Sequence, residues 1–182
     1  MKRVDFSKYT NGDYKPGGVV KRVLWYVTVH LFFKTPLPFP NALKIFLLRL
    51  YGARAGKNIR IKPNVNIKYP WFLEMGDHVW IGEGVWIDNM GMVSIGNNVC
   101  ISQSVYVSTS THDYKKEGFD LIVSSLIIED GVWIAAGAIV LGSAKIRSHS
   151  IISAGSVIAS DTEPYCVYKG VPAQLVKKRI ME

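Results

Sequence analysis

From residue 55 onward the chain repeats itself every six residues. The clearest units read IGEGVW (81–86), IGNNVC (95–100), ISQSVY (101–106), IEDGVW (128–133), IAAGAI (134–139) and ISAGSV (152–157). The first position is aliphatic in nearly every unit, as at Ile61, Ile81, Ile101, Ile134 and Ile152, and the fifth is Val or small, as at Val79, Val99, Val132 and Ala138. A period of six is neither helical nor a plain two-residue alternation. It fits a short strand followed by a tight turn. Three such sides close a coil of about 18 residues, and coils stack at the ~4.8 Å strand spacing. The fifth side chain points into a narrow corner and must be small, and Gly or Asn at positions two to four suits the turn. Chance recurrence of Ile and Val in a β-sandwich would not hold one phase through fifteen units. The expected fold is all-β: a parallel β-helix of about five coils over residues 55–163, with N-terminal helices and one extended loop.

The segment before residue 55 has a different grammar. Residues 1–18 are polar and Gly-rich and read as a loosely held arm. Val23 to Phe33 is an apolar run broken only by Thr28 and His30. Eleven residues fall short of the roughly 20 needed to cross a bilayer. The run Lys34-Thr35-Pro36-Leu37-Pro38-Phe39-Pro40 stops that helix, Asn41 is placed to cap a second one over Ala42 to Tyr51, and Gly52 to end it. Residues 164–182 read as a C-terminal tail. Charge is uneven: residues 1–60 hold twelve Lys or Arg against Asp5 and Asp13, while the remainder holds ten basic and twelve acidic side chains. That asymmetry argues against a nucleic-acid binder. It fits peripheral contact with an anionic membrane surface, or simply a solvated basic face. Cys100 and Cys166 form no spaced pair, so neither a disulfide framework nor a zinc site is expected, and a reducing, cytoplasmic setting fits. MKRVDFSKYT has no apolar stretch of the kind a secretory signal needs.

A repeat of this kind sets a scaffold, so chemistry is sought where it is interrupted. The longest break runs from Asp113 to Ile127, after the unit VSTSTH (107–112). The phase puts His112 at the outward sixth position shared by Trp80, Trp86, Tyr106 and Trp133. A histidine side chain titrates near 6.5 in water, so neutral imidazole is available to accept a proton around pH 7. His78 and His149 fall at fourth positions, in turns, and His30 in a helix. A second break, Asp88-Asn89-Met90-Gly91, lies one coil earlier on the same edge. Asp88 and Asn89 are placed to bind acceptor hydroxyls or orient the imidazole, or they belong to an ordinary Asn-rich turn. After the loop, Ala135-Ala136-Gly137-Ala138 and Ser153-Ala154-Gly155-Ser156 expose backbone along an edge, as a groove for a long flexible ligand or as mere corner packing.

These stretches together resemble the hexapeptide-repeat acetyltransferases, especially the galactoside, maltose and nodulation-factor group and the colanic acid O-acetyltransferase type. The likeness runs through LLRLYGARAGKNIRIKPNVNIKYPW (47–71), STHD (110–113), IEDGVWIAAGAIVLGSAKI (128–146), ISAGSVIASD (152–161) and YKGVPAQLVKK (168–178). The resemblance implies a left-handed winding, an exception to the usual right-handed crossover. It also implies a homotrimer with clefts between prisms, acetyl-CoA as co-substrate, no metal, and a sugar acceptor in surface polysaccharide synthesis. It assigns His112 as general base, with Asp88, Asn89 and Asp113 toward the acceptor and Trp133, Ala136, Ala154, Gly155 and Lys177 toward coenzyme A. Relatives often carry Thr-Lys where this chain has Ala159-Ser160, and Arg where it has Gln174; Lys177, Lys178 and Arg179 are candidates to compensate. Two rival functions remain at this level. A non-catalytic scaffold would bind no coenzyme A. A metal enzyme of the γ-carbonic anhydrase kind would need three His ligands, and no second His lies near His112.

Overall fold

The computed structural model describes residues 3–181. From Arg54 the chain winds as a three-faced left-handed parallel β-helix. The first face stacks Arg54–Ala55, Leu73–Met75, Val93–Ile95, Leu126–Ile128 and Lys145–Ile146. The second stacks Arg60–Ile61, Trp80–Ile81, Cys100–Ile101, Trp133–Ile134 and Ile151–Ile152, and the third Asn66–Ile67, Trp86–Asp88, Tyr106–Ser108, Ile139–Leu141 and Val157–Ile158. That makes five full coils. A sixth turn begins with Cys166–Gly170, which pairs in parallel with Ile151–Ile152 and then folds back antiparallel as Ala173–Lys178. The segment read as a tail therefore extends the second face.

The hexapeptide phase maps directly onto this geometry. First-position side chains stack in register up each face, as in Ile61, Ile81, Ile101, Ile134 and Ile152, and all are buried. Fifth positions such as Val79, Val99 and Val132 fill the corners. Fourth positions take the left-handed backbone conformation that the turn requires: Asn58, Asn64, His78, Asn98, Ser104 and His149 have φ between 54° and 60°. Asn, His and Gly tolerate that region best, which accounts for His78 and His149 without chemistry. At Gly131 a Cβ would also strike the His149 ring one coil on, so glycine is obligatory there.

Helices α1 (Val19–Phe32) and α2 (Asn41–Leu50) close the open end of the first coil. Trp25 donates its indole N–H to the Ile67 carbonyl at 2.8 Å, and Lys44, fully buried, donates to the carbonyls of Ile61 and Lys62 at 3.1 Å each. Burial holds the Lys44 ammonium below its ordinary pKa. Asn41 does not cap its own helix as expected: Pro40 occupies the cap, and the Asn41 side chain accepts the Ile61 N–H at 2.8 Å. The first coil's edge strand otherwise presents unpaired backbone groups, a template for aggregation, so the side chain is better used there.

Candidate active site

The three longest excursions from the prism lie on one edge, between the third and first faces, and each is built on the one before. The first, around Tyr69 to Phe72, is held by Asn89 of the second. Asn89 is fully buried; its amide oxygen accepts the Tyr69 N–H at 3.1 Å, and its NH₂ donates to the carbonyls of Tyr69 and Phe72 at 2.6 and 3.0 Å. The second, Asp88 to Met92, is held by Thr109 of the third, whose hydroxyl accepts the Gly91 N–H at 2.8 Å. Ser124 closes the neck of the third excursion by donating its N–H to the Thr109 carbonyl at 2.8 Å. Gly91 sits so close beneath the Ser124 carbonyl that no Cβ fits.

Above that neck the chain leaves the prism earlier than the phase implied. The expected loop of 113–127 is in fact an antiparallel hairpin, Ser110–His112 against Leu121–Val123, while Leu126 and Ile127 already belong to the first face. His112 is thus carried on the hairpin and not on a coil strand. Its Nδ1 lies 3.0 Å from the Phe119 carbonyl, and its ring stacks on that of Phe119 at 4.5 Å and 9°. A carbonyl can only accept, so Nδ1 bears a proton, and in the neutral imidazole the lone pair is on Nε2. Phe119 has φ 54°, a conformation that costs a bulky residue on the order of 1–3 kcal/mol and that turns its carbonyl toward the imidazole.

The N-terminal arm, expected to be loose, is docked on this hairpin; its first two residues lie outside the described ones. Asp5 N–H donates to the Glu117 carbonyl at 2.9 Å, and Lys8 Nζ meets Glu117 Oε1 at 2.8 Å. Thr10 N–H reaches Asp120 Oδ1 at 3.2 Å, and the Thr10 carbonyl accepts from Leu121 at 3.2 Å. Phe6 packs edge-on against Phe119, and the Tyr9 ring centre lies 5.9 Å from that of His112. Tyr14 donates its hydroxyl to the Met90 carbonyl at 2.9 Å, and burial raises its pKa. No sequence pattern marks these contacts; only the short spacing of Phe6, Tyr9 and Tyr14 hints at an arm with something to cover.

The other candidate residues separate into two places. Asp88 lies in register with Ser108 beneath the hairpin. Its Oδ2 accepts from the Tyr106 hydroxyl at 3.0 Å; its Oδ1 has the Lys68 ammonium 2.8 Å away, without a well-aligned hydrogen bond. It does not orient the imidazole; the Phe119 carbonyl does. Asn89 has spent both amide protons and is fully buried, so it does not present itself to a sugar hydroxyl. Asp113 caps the hairpin tip, accepting the Lys115 N–H at 3.1 Å. On the opposite edge of the third face, Ala136, Gly137, Ala154 and Gly155 form an exposed stacked corner in which Gly155 N–H donates to the Ala136 carbonyl at 3.0 Å. At Gly137 and Gly155 an added Cβ would meet only open space. Trp133 is exposed on the adjoining second face, its indole N–H on the Ser102 hydroxyl at 2.9 Å. Lys177 is exposed on the outer strand, but Arg179 is occupied, its guanidinium donating to the carbonyls of Gly131 and His149 at 3.0 Å each. Within one prism, therefore, His112 and the small-residue corner stand on different edges. Among the described residues no three His, Cys, Asp or Glu side chains converge as metal ligands.

Residues 125–160 match the bacterial transferase hexapeptide (six repeats) family. The chain is 30% identical over 167 residues, 92% of each chain, to a putative colanic acid biosynthesis acetyltransferase, WcaF, of Escherichia coli K12. Its fold superposes with a TM-score of 0.80 on a maltose O-acetyltransferase from Clostridium difficile 630, at 26% identity over 90% of this chain and 88% of that one. A hexapeptide-repeat acetyltransferase of Vibrio cholerae, complexed with acetyl coenzyme A, shares the fold with a TM-score of 0.77, at 22% identity over 89% and 87% of the two chains. With a relative that similar along nearly its whole length, a continuous hexapeptide coil and a His-bearing hairpin at its third turn, the chain belongs to the hexapeptide-repeat acetyltransferases.

Proposed function

We propose that this protein transfers an acetyl group from acetyl-CoA to a hydroxyl of a sugar used in surface polysaccharide synthesis, with His112 as general base. The observation that carries the reading is the 3.0 Å contact between His112 Nδ1 and the Phe119 carbonyl: a carbonyl can only accept, so the Nδ1 proton is spent there and Nε2 of the neutral imidazole is left as the base. Nε2 takes the proton of the acceptor hydroxyl as that oxygen attacks the thioester carbonyl. The tetrahedral intermediate collapses with cleavage of the C–S bond, and the imidazolium returns the proton to the departing thiolate. The backbone N–H of Ala154, beside the Gly155 N–H already spent on the Ala136 carbonyl, faces the developing oxyanion. Trp133, Ala136 and Lys177 flank the coenzyme. The Asp88–Tyr106–Lys68 cluster and Asp113 lie toward the acceptor.

The separation of His112 from the small-residue corner within one prism supports a homotrimer, in which the hairpin of one copy meets the corner of the next. The exposed apolar surface of α1, with Val19, Val20, Leu24 and Leu31 all more than half exposed, supports peripheral contact with the cytoplasmic membrane face and a lipid-linked acceptor. Among the described residues no helix is long and apolar enough to cross a membrane. Thiol release from acetyl-CoA across a panel of sugars tests the reaction. His112→Ala should leave the fold intact and lower kcat by at least about a hundredfold; near-wild-type turnover sinks the mechanism.

A further inference from the structure

Behind α1, against the third face of the β-helix, lies a cavity of about 570 Å³. That volume falls within the range of small-molecule sites, about 300–1,000 Å³. Val23, Trp25 and Val29 of the helix form one wall, and Ile67 and Trp86 of the sheet form the other. Arg22 and Lys34 stand at its border, and no carboxylate lines it. Among the described residues neither cation has a carboxylate within 4 Å, whereas Lys68, which also lines the cavity, is neutralised by Asp88. Arg22 Nε is buried and has no hydrogen-bond partner. A half-buried guanidinium without an anion leaves desolvation uncompensated, so the cavity is complementary to a negative charge. Its walls are too apolar for a bare anion to fill.

The cavity also adjoins the candidate active site. Trp86 packs on Tyr106 with ring centres 5.1 Å apart, and the Tyr106 hydroxyl bonds Asp88, whose turn supports the neck of the His112 hairpin. On its far side α1 opens to solvent with the apolar stripe Val20, Leu24, Val27 and Leu31, all at least half exposed. A ligand seated here has a hydrocarbon part along Val19, Val23 and Tyr26, which line the cavity and are each more than half exposed, and an anionic head at the Arg22 guanidinium, with the Lys68–Asp88 pair leading from the cavity wall toward the hairpin.

We propose that the cavity binds a long-chain phosphate ester, the phosphate and proximal hydrocarbon of a lipid carrier that holds the acceptor sugar. This rests on the O-acetyltransferase reading and deepens it by naming the chemical class of the acceptor's carrier. A nucleoside diphosphate is the competing anion, but Asn66 is the lone side-chain amide on the walls to read a base edge.

Farnesyl diphosphate is a suitable probe, titrated below its aggregation concentration with tryptophan fluorescence as the readout, beside farnesol, inorganic pyrophosphate and uridine diphosphate. Farnesyl diphosphate should bind at least about tenfold more tightly than either half-molecule, since charge-assisted hydrogen bonds and apolar burial each contribute a factor of that order. Arg22→Gln should weaken the diphosphate by about tenfold and leave farnesol unchanged. Val23→Trp, which fills the cavity, should abolish binding of the probe while coenzyme A binds as before. Saturable binding unaltered in Val23→Trp, uridine diphosphate binding more tightly than farnesyl diphosphate, or no saturation at all would overturn the proposal. Thiol release is measured in parallel with soluble sugars and with sugars linked to farnesyl diphosphate: its absence with both sinks the enzymatic reading whatever the probe does, and its persistence without probe binding sinks the carrier site alone.

Discussion

Phe119 controls the imidazole twice, through its carbonyl and through its ring, and it does so from a backbone conformation that phenylalanine seldom adopts. Phe119→Gly keeps the carbonyl and relieves the backbone but removes the stacking partner. Thermal stability should hold within about 1 kcal/mol, while kcat should fall roughly tenfold as the imidazole loses its orientation; KM for acetyl-CoA should not move. Asn89 has the opposite profile. Its three internal hydrogen bonds join two excursions in a site closed to water, so Asn89→Ala should cost about 2–4 kcal/mol in denaturant unfolding, with residual protein still turning over. A normal unfolding midpoint with a raised acceptor KM would instead restore Asn89 to the acceptor site. Tyr14 donates its phenol proton to Met90, and burial raises its pKa, so the folded state favours the neutral phenol. That stability is fully present below the ordinary value near 10 and is lost as pH rises above it. Tyr14→Phe should therefore be about 1 kcal/mol less stable at pH 7 and nearly equal to wild type by pH 11, read from urea midpoints at both values.

At the scale of elements, the arm and the hairpin form one unit. The Lys8–Glu117 pair is largely exposed and contributes little by itself. The backbone bonds at Asp5, Thr10 and Leu121 set the register of arm on hairpin. Thr10→Pro removes the N–H that reaches Asp120. The β-helix should melt as before, because none of its coils is touched. The amide of Leu121 should exchange faster, and kcat/KM should drop on the order of tenfold. Unchanged exchange at Leu121 would show that the arm is a passenger. Excursions on one edge were visible as breaks in the hexapeptide phase. The arm was not, because its contacts join residues at least 76 positions apart, and those that set its register run through backbone groups, which carry no sequence signature.

Viewed whole, the molecule exposes Trp80, Trp86 and Trp133 at 44–50%, on the second and third faces, and a helix that is apolar on nearly every side. Large aromatics at that exposure mark surfaces that are covered in the working assembly. Light scattering should give about three times the chain mass of 20.3 kDa, and a monomer at micromolar concentration would dismiss the trimer. Sedimentation with anionic vesicles should retain the protein at 0.1 M salt and release it near 1 M, because the Debye length falls from about 10 Å to about 3 Å. Protein left in the supernatant at low salt would reduce α1 to a cap on the first coil.

The six-residue period by itself determined the coil, its register, its inward stack of Ile and Val and the edge at which the coil is interrupted. Each of these follows from side chains that must alternate between a closed interior and a tight left-handed turn, and that requirement is written into every unit. The position of His112 at the start of the long interruption was legible for the same reason. Tertiary structure alone decided what the interruptions do. Whether Asn89 faces a ligand or the interior depends on backbone groups of Tyr69 and Phe72 arriving from another coil, and the amide suits either setting. Which group orients His112 depends on a carbonyl, and every residue has one. Where the arm lies, that Arg179 is already occupied, and that α1 leaves a cationic cavity behind it all depend on surfaces meeting at a distance along the chain, where one residue's identity constrains nothing about its partner.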